Sequence, residues 1–313
     1  MAKTILVLGN SNVDLVFKIP RFHHPGETIL AESLGTFFGG KGANQAITAK
    51  RLGGNVSFIT KVGSDHYGKS YRDHLLKNGL DQKLILTDKK LPTGTAVIEL
   101  TTKGENRIIA FLGANGSLSV NDLKRLHRHW REVGVFVTQL EISLPTVEKG
   151  LKMAKDRGAV TLLNPSPPIP LPPHVLSTVD FIVPNEVEAQ LLTGIKWKGD
   201  REIRKMANRL LDMTVKNVVI TLGSKGLFFK NRNEELWMKA FRANVVDTTA
   251  AGDAFLGALA TSLSEDKPIQ EALKFANGAG ALATTKLGAQ PSLPSRRELE
   301  AFLARMKEAE RND

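Results

Sequence analysis

Hydrophobic and polar positions follow two alternating rhythms along most of this chain. Compact apolar runs at 4–9 (TILVLG), 56–62 (VSFITKV), 133–140 (VGVFVTQL), 159–165 (AVTLLNP) and 217–223 (NVVITLG) read as buried strands. KLILTD (83–88) and VDFIVPN (179–185) add two more. Between them, residues 44–53, 70–79, 145–158, 186–194 and 201–214 repeat apolar positions at helical spacing. Gly53, Gly79, Gly134 and Gly158 are expected to close helices, where a left-handed cap costs glycine least. Strands alternating with helices imply a mostly parallel sheet covered on both faces. The predicted fold class is α/β, a three-layer α/β/α sandwich around a Rossmann-like sheet.

Two stretches break the rhythm. Residues 13–38 and 93–112 carry strand patterns with no helix between them, and the second reads as a hairpin turning at KGEN (103–106). Together they predict a small separate β-sheet, hinged as a lid over one end of the body. Its exposed face would invite pairing with a second copy of the chain, giving a homodimer. No Pro/Gly/Ser-rich linker divides the rest, so residues 1–313 read as one domain with the lid strands inserted. The proline-rich NPSPPIPLPP (164–173) follows a strand and reads as a loop.

Composition narrows the class without naming a chemistry. The 42% hydrophobic and 24% charged content is that of a soluble globular protein, and no apolar run reaches membrane-spanning length. MAKTILVLG reads as a first strand, not a signal peptide, which points to the cytoplasm. With no cysteine there is no disulfide, thiol nucleophile or thiolate metal site. His23, His24, His127 and His129 fall in no zinc-binding pattern. The net charge of +11 fits nucleic acid or an anionic small substrate, but the basic segments are interleaved with acids and read as solvated helix faces. No nucleic-acid partner is expected.

Three stretches carry candidate chemistry. In VVDTTAAGDAFLGALATSLSE (245–265), a short apolar strand is expected to end at Asp247, and small residues then lead into a helix near Gly252 and Asp253. Small residues admit close approach of a ligand, and the free N–H groups of a helix start bind anions. Asp253 is then either a partner of the helix dipole or a general base beside a transferring phosphate. FGGKGANQA (38–46) opens a helix with Lys41 and Asn44, either as a polar ligand site or as a flexible turn. In GNSNVDL (9–15), Asn12 and Asp14 lie two apart, on one face of an extended segment, where they suit neighbouring sugar hydroxyls or a simple turn.

A decoy must be set aside. GSDHYGKS (63–70) matches G-x-x-x-x-G-K-[ST], the phosphate-binding loop of many nucleotide hydrolases. Asp65 would put a negative charge inside that loop, and only the two pattern glycines are present. The stretch reads as a turn before a helix.

FGGKGANQA, PNEVEAQLLTG (184–194) and DTTAAGD (247–253), in that order, resemble the ribokinase (PfkB) family of carbohydrate kinases. The similarity runs from about Ile5 to about Leu303. GGKGANQA, TLGSKG (221–226) and GAQPS (288–292) resemble the ribokinase members most. The resemblance implies ATP-dependent phosphorylation of D-ribose at O5, giving D-ribose 5-phosphate and ADP. It implies that Asp253 is the general base and that Ala250, Ala251 and Gly252 form a backbone anion hole. Asn12, Asp14, Gly40, Lys41, Gly42, Ala43, Asn44 and Glu141, with Asp253, match sugar-binding positions. Thr221, Leu222, Gly223, Ser224, Lys225, Gly226 and Asn277, with Asn185 and Gly252, match ATP-binding positions. Asn185 and Glu188 match an N-x-x-E motif that organises magnesium through water. Asp247, Thr249, Ala283, Lys286, Gly288 and Ser292 match a monovalent-cation site, usually filled by potassium.

The amide of Asn12 suits a 2-hydroxyl and so favours ribose. The alternatives are 2-deoxyribose, fructose, a nucleoside or a keto-deoxy sugar acid, and, in another class, a non-catalytic sugar sensor on the same fold.

Overall fold

The computed structural model describes residues 2–312. Strand β1 (Thr4–Leu8) leads into two lid strands, β2 (Asn12–Ile19) and β3 (Ser33–Gly39). Helix α1 (Lys41–Arg51), β4 (Val56–Gly63), α2 (His66–Lys77) and β5 (Ile85–Asp88) return to the body. The second lid hairpin is β6 (Gly94–Thr101) and β7 (Asn106–Phe111). Next come α3 (Val120–Arg125), β8 (Val133–Thr138), α4 (Leu144–Lys155), β9 (Val160–Leu163), α5 (Pro173–Leu176), β10 (Phe181–Ile182) and α6 (Glu186–Thr193). Helix α7 (Asp200–Asp212) and β11 (Asn217–Thr221) precede a pair of short strands, β12 (Leu227–Lys230) and β13 (Glu235–Met238). The last elements are α8 (Ala251–Ser264), α9 (Ile269–Ala283), α10 (Ala289–Ser292) and α11 (Arg296–Asn312).

The body sheet runs β13-β12-β11-β10-β9-β8-β1-β4-β5, parallel from β11 to β5 and antiparallel at β12 and β13. Side chains alternate across it, as a strand's period of two requires. Ile5 and Val7 of β1 enter a core with α1, α2, α8, α9 and α11, while Leu6 and Leu8 enter one with α3 to α7. This is the predicted sandwich. From β1 the chain fills one side through β4 and β5, then crosses back to β8 and fills the other. The direction of winding thus reverses between β1 and β8, and such a reversal opens a crevice at the carboxyl ends of those strands.

The lid is a four-stranded sheet ordered β3-β2-β6-β7. Its base pairs Asn12 with Gly39. Gly40 then turns the chain into α1 with φ of 90°, and a Cβ there would fall 2.7 Å from the Asn12 nitrogen, so both strain and space demand glycine. Every residue of β7 is exposed, including Ile108, Ile109 and Phe111. Among the described residues no helix is long and apolar enough to cross a membrane.

Several local expectations need correction. Gly53, Gly79 and Gly158 lie in the left-handed region just past α1, α2 and α4, but Gly134 lies inside β8. It sits where the β1–β8 register shifts, against Lys3, and the close approach explains the glycine. Residues 245–247 form no strand. Val245 and Val246 are exposed by more than 60%, and the amides of Val246 and Asp247 both donate to the Thr284 carbonyl instead of to a strand. The 179–185 run shortens to the two residues of β10, because Val183 and Pro184 already lead to the cap of α6. The last proline of the 164–173 loop opens α5, as proline does at a helix start.

Candidate active site

The crevice between β1 and β8 gathers four acids around one lysine. Asn10, just past β1, accepts from the amide of Gly42 through Oδ1 (2.9 Å) and from that of Ala43 through its carbonyl (3.0 Å), and its Nδ2 donates to Glu141. One asparagine therefore links the start of α1 to the loop after β8. Asn12 is buried, and its Oδ1 accepts from Asn115 Nδ2 at 2.8 Å. That bond leaves the donor end of the Asn12 amide for another partner. Asp14 follows on β2 beside Gly39, where a Cβ would fall 2.0 Å from its Oδ2.

Burial, then the negative charge of Glu141 and Asp253, pushes Asp14 up to about 7 against the pull of Lys41. Burial likewise pushes Glu141 and Asp253 up, in both cases against Lys41. Lys41 opens α1. Burial alone would lower it, but Asp253, Glu141, Glu188 and Asp14 together hold it above its ordinary value. The crevice is electrostatically loaded and suited to hydroxyl ligands, which carboxylates, amides and an ammonium all bond.

Asp253 stands in the first turn of α8, as its sequence context suggests. Asn44 Nδ2 and Gln45 Nε2 each donate to one of its oxygens at 2.9 Å. Ala250 precedes the helix with φ of 62°, a left-handed conformation uncommon for a side-chain-bearing residue. No side chain caps this helix start, and first-turn amides have no intrahelical acceptor. The Ala251 amide donates to the Thr248 carbonyl at 3.2 Å, and those of Gly252 and Asp253 border a cleft of about 220 Å³ that Lys41, Asn164, Asn185, Glu188, Thr221 and Thr248 also line. A space beside free N–H groups, a lysine and a carboxylate is chemically fit for a phosphoryl group.

Residues 2–296 match the family described as pfkB family carbohydrate kinase. The chain belongs to that family. It is similar to a ribokinase of Haemophilus influenzae, 39% identical over 97% of this chain and 99% of the relative. It is also similar to a deoxyribokinase of Salmonella typhi, 34% identical over 96% of this chain and 98% of the relative. Among solved structures, Arabidopsis thaliana ribokinase complexed with ribose and ATP superimposes with a TM-score of 0.88 at 33% identity, covering 97% of this chain and 99% of that one. The family assignment makes the chain an enzyme, and the sandwich with its lid is the architecture of these pfkB kinases.

In this pfkB kinase the N-x-x-E motif is first a capping box. Asn185 Oδ1 accepts from the Glu188 amide at 2.8 Å, and Glu188 Oε2 accepts from the Asn185 amide at 3.0 Å. Both residues also line the cleft, and burial pushes Glu188 up despite that backbone bond. Among the described residues no three acids or histidines cluster tightly enough for an all-protein metal cage. A single carboxylate beside a phosphate-sized space fits a hydrated magnesium ion, which keeps most of its waters.

The other matched positions fall in two groups. Thr221 bridges to Asn185, and Gly223, Ser224 and Lys225 are exposed on a tight turn between β11 and β12. The Leu222 side chain is in the core, so only its backbone can meet a ligand. Gly226 has φ of 98° and packs on residues 238–240, where the Asn277 side chain also donates, to the Lys239 carbonyl. The second group surrounds Asp247. Its Oδ1 accepts from the amide and hydroxyl of Thr249, and its Oδ2 from the amide of Gly288. Its carboxyl is lowered, these bonds outweighing burial. The Lys286 ammonium turns away to Glu298, and the Ser292 hydroxyl donates to the Ala289 carbonyl. Ala283 ends α9 next to Thr284, whose carbonyl accepts from the amides of Val246 and Asp247, so the segments of Asp247, Ala283 and Gly288 meet.

Residues that the sequence reading passed over complete the picture. Asn10 and Gln45 lie inside stretches singled out for other residues, Asn115 lies just past the 93–112 lid segment, and Gln139 lies in a run read only as a strand. The phosphate-loop match is a decoy, as expected. Asp65 caps α2 by accepting from the Gly68 amide, and it also accepts from the amide and hydroxyl of Thr93. Its carboxylate thus takes the Gly68 amide, one of the donors a phosphate-binding loop would need.

Proposed function

We propose that this pfkB kinase is an ATP-dependent ribokinase that makes D-ribose 5-phosphate and ADP. The observation that carries the reading is the position of Asp253, buried between the hydroxyl-binding cluster and the cleft at the start of α8. Asn12, Asp14, Lys41, Asn44 and Glu141, with the backbone of Gly40, Gly42 and Ala43, would hold the sugar with its 5-hydroxyl toward Asp253. Asp253 takes the proton of that hydroxyl as the oxygen attacks the γ-phosphorus and the bond to ADP breaks. The amides of Ala250 to Gly252 meet the charge on the transferring oxygens. The lid excludes water, the competing acceptor.

ATP would lie across Asn185, the 221–226 turn and Asn277. Asn185 and Glu188 fit a hydrated magnesium ion, which neutralises phosphate charge when bound. The cradle of Asp247, Thr249, Ala283, Lys286, Gly288 and Ser292 fits potassium, whose effect would pass through the adjoining 249–252 backbone. An ATP-consuming enzyme of this kind would act in the cytoplasm.

Asn115 supports ribose over 2-deoxyribose. By fixing the Asn12 amide with its donor end free, it prepares a bond to a hydroxyl oxygen that the deoxy sugar lacks. The similarity to a deoxyribokinase keeps 2-deoxyribose as the second reading. ADP release with MgATP and D-ribose, 2-deoxyribose, fructose or adenosine, with and without potassium, decides between them. Ribose should give the highest kcat/KM, stimulated by potassium; a higher value for another acceptor would overturn the assignment.

The exposed apolar side chains of the lid, Leu34, Ile108, Ile109 and Phe111, further support a homodimer through the lid sheet. Sedimentation at micromolar concentration should show two chains, and Ile109→Lys should give one. A monomeric parent protein would end that proposal.

A further inference from the structure

Both oxygens of Asp253 are held by amides of α1, and one of those amides is itself held from behind. A glutamine amide has a donor end and an acceptor end of nearly equal shape. Turned one way, Gln45 donates to Asp253; turned the other, it would set its oxygen against the carboxylate. The orientation that donates to Asp253 turns Gln45 Oε1 toward Gln139, in the loop after β8, whose Nε2 donates to it at 2.5 Å. Gln139 is buried against Gly9, where a Cβ would fall 2.1 Å from its Oε1, and among the described residues that Oε1 has no hydrogen-bond partner. A buried amide that leaves one end unpaired is retained at a cost. The bond it does make points at Gln45.

We propose that Gln45 is a positioning residue for the Asp253 carboxylate, and that Gln139 braces it in the donating orientation, so that a relay of amides runs from the sheet through α1 to the reacting group on α8. The inference rests on Asp253 being the general base. Donors on a carboxylate favour its ionised form. Around Asp253 they act together with Lys41 on α1, against burial and against the negative charges of Asp14 on β2, Glu141 after β8 and Glu188 on α6. Losing the Gln45 donor therefore raises the pH at which the base is ready.

The experiment compares Gln45→Met, Gln139→Met and the double variant with the parent protein. Methionine keeps the length and bulk of glutamine and removes the donor. Two readouts are taken: the ¹³Cγ titration of Asp253 in the protein alone, assigned by its loss in Asp253→Asn, and the pH profile of kcat with MgATP and ribose. Gln45→Met should move the titration midpoint and the acid limb of kcat up by about one to two pH units, the worth of a hydrogen bond to a charged group. Gln139→Met should move both by less. The double variant should move them no further than Gln45→Met, because Gln139 acts through Gln45.

An unmoved midpoint, or shifts that add in the double variant, would reduce the glutamines to packing. If Gln45→Met does not fold, the midpoint in Gln139→Met makes the same decision. A moved midpoint together with full turnover in Asp253→Asn would uphold the relay and refute Asp253 as the base. An unmoved midpoint with an inactive Asp253→Asn would do the reverse.

Discussion

Ala250 holds a left-handed conformation at the cap of α8, three residues before Asp253, where glycine would sit without strain. A side chain in that conformation costs roughly 1–2 kcal/mol. It also restricts the unfolded chain, which returns a similar amount relative to glycine. The two effects nearly cancel, so Ala250→Gly should change stability in urea by less than about 1 kcal/mol. Turnover should still fall several-fold, because the first-turn amides lose a fixed backbone. Unchanged kcat would show that those amides need no such restraint. Asn115 illustrates a different economy at the same scale. One side chain satisfies the amide and carbonyl of Ser11 and orients Asn12, so a residue with no ligand role of its own decides which end of a ligand-facing amide is presented.

Among the elements, helix starts do most of the functional placement, and they were unevenly legible in the sequence. The starts of α6 and α8 could be read because their motifs carry chemistry, Asn185 with Glu188 and the small residues before Asp253. The start of α2 was placed at 70 instead of His66, since the capping residue Asp65 lay inside a pattern that belongs to another kind of loop. Asp65→Ala removes this cap and should destabilise the protein by about 1–2 kcal/mol while leaving the KM for ATP unchanged. A raised KM for ATP with unchanged stability would instead restore the phosphate-loop reading. The long strands and amphipathic helices were legible because burial on one or both faces imposes a period. The segment before Asp247 was not, since valines suggest a strand whether or not an edge is free to pair with them.

At the scale of the whole molecule, the order of winding puts loops from distant parts of the chain at one crevice. Gln45 meets Gln139, Asn12 meets Asn115 and Asn44 meets Asp253 across sequence separations of 94, 103 and 209 residues. Contacts of this kind leave no local pattern, and for that reason the amide network was invisible in the sequence while the motifs it supports were not. The same assembly loads four acids around Lys41, with a consequence for stability. Asp14 is raised to about 7 from an ordinary value near 4, so between those pH values the native state binds more protons than the unfolded chain. Its contribution to stability therefore declines as pH rises through that window. The advantage of Asp14→Asn over the parent in urea unfolding should grow from pH 4 to pH 7, and a constant difference would mean that Asp14 ionises freely. The central claim, that Asp253 is the base of a sugar kinase, is tested most directly by ADP release from MgATP and D-ribose in the parent and in Asp253→Asn. The account predicts that the variant loses about 10²–10⁴-fold in kcat, with the KM for ribose little changed. A variant that turns over within a few-fold of the parent would contradict it.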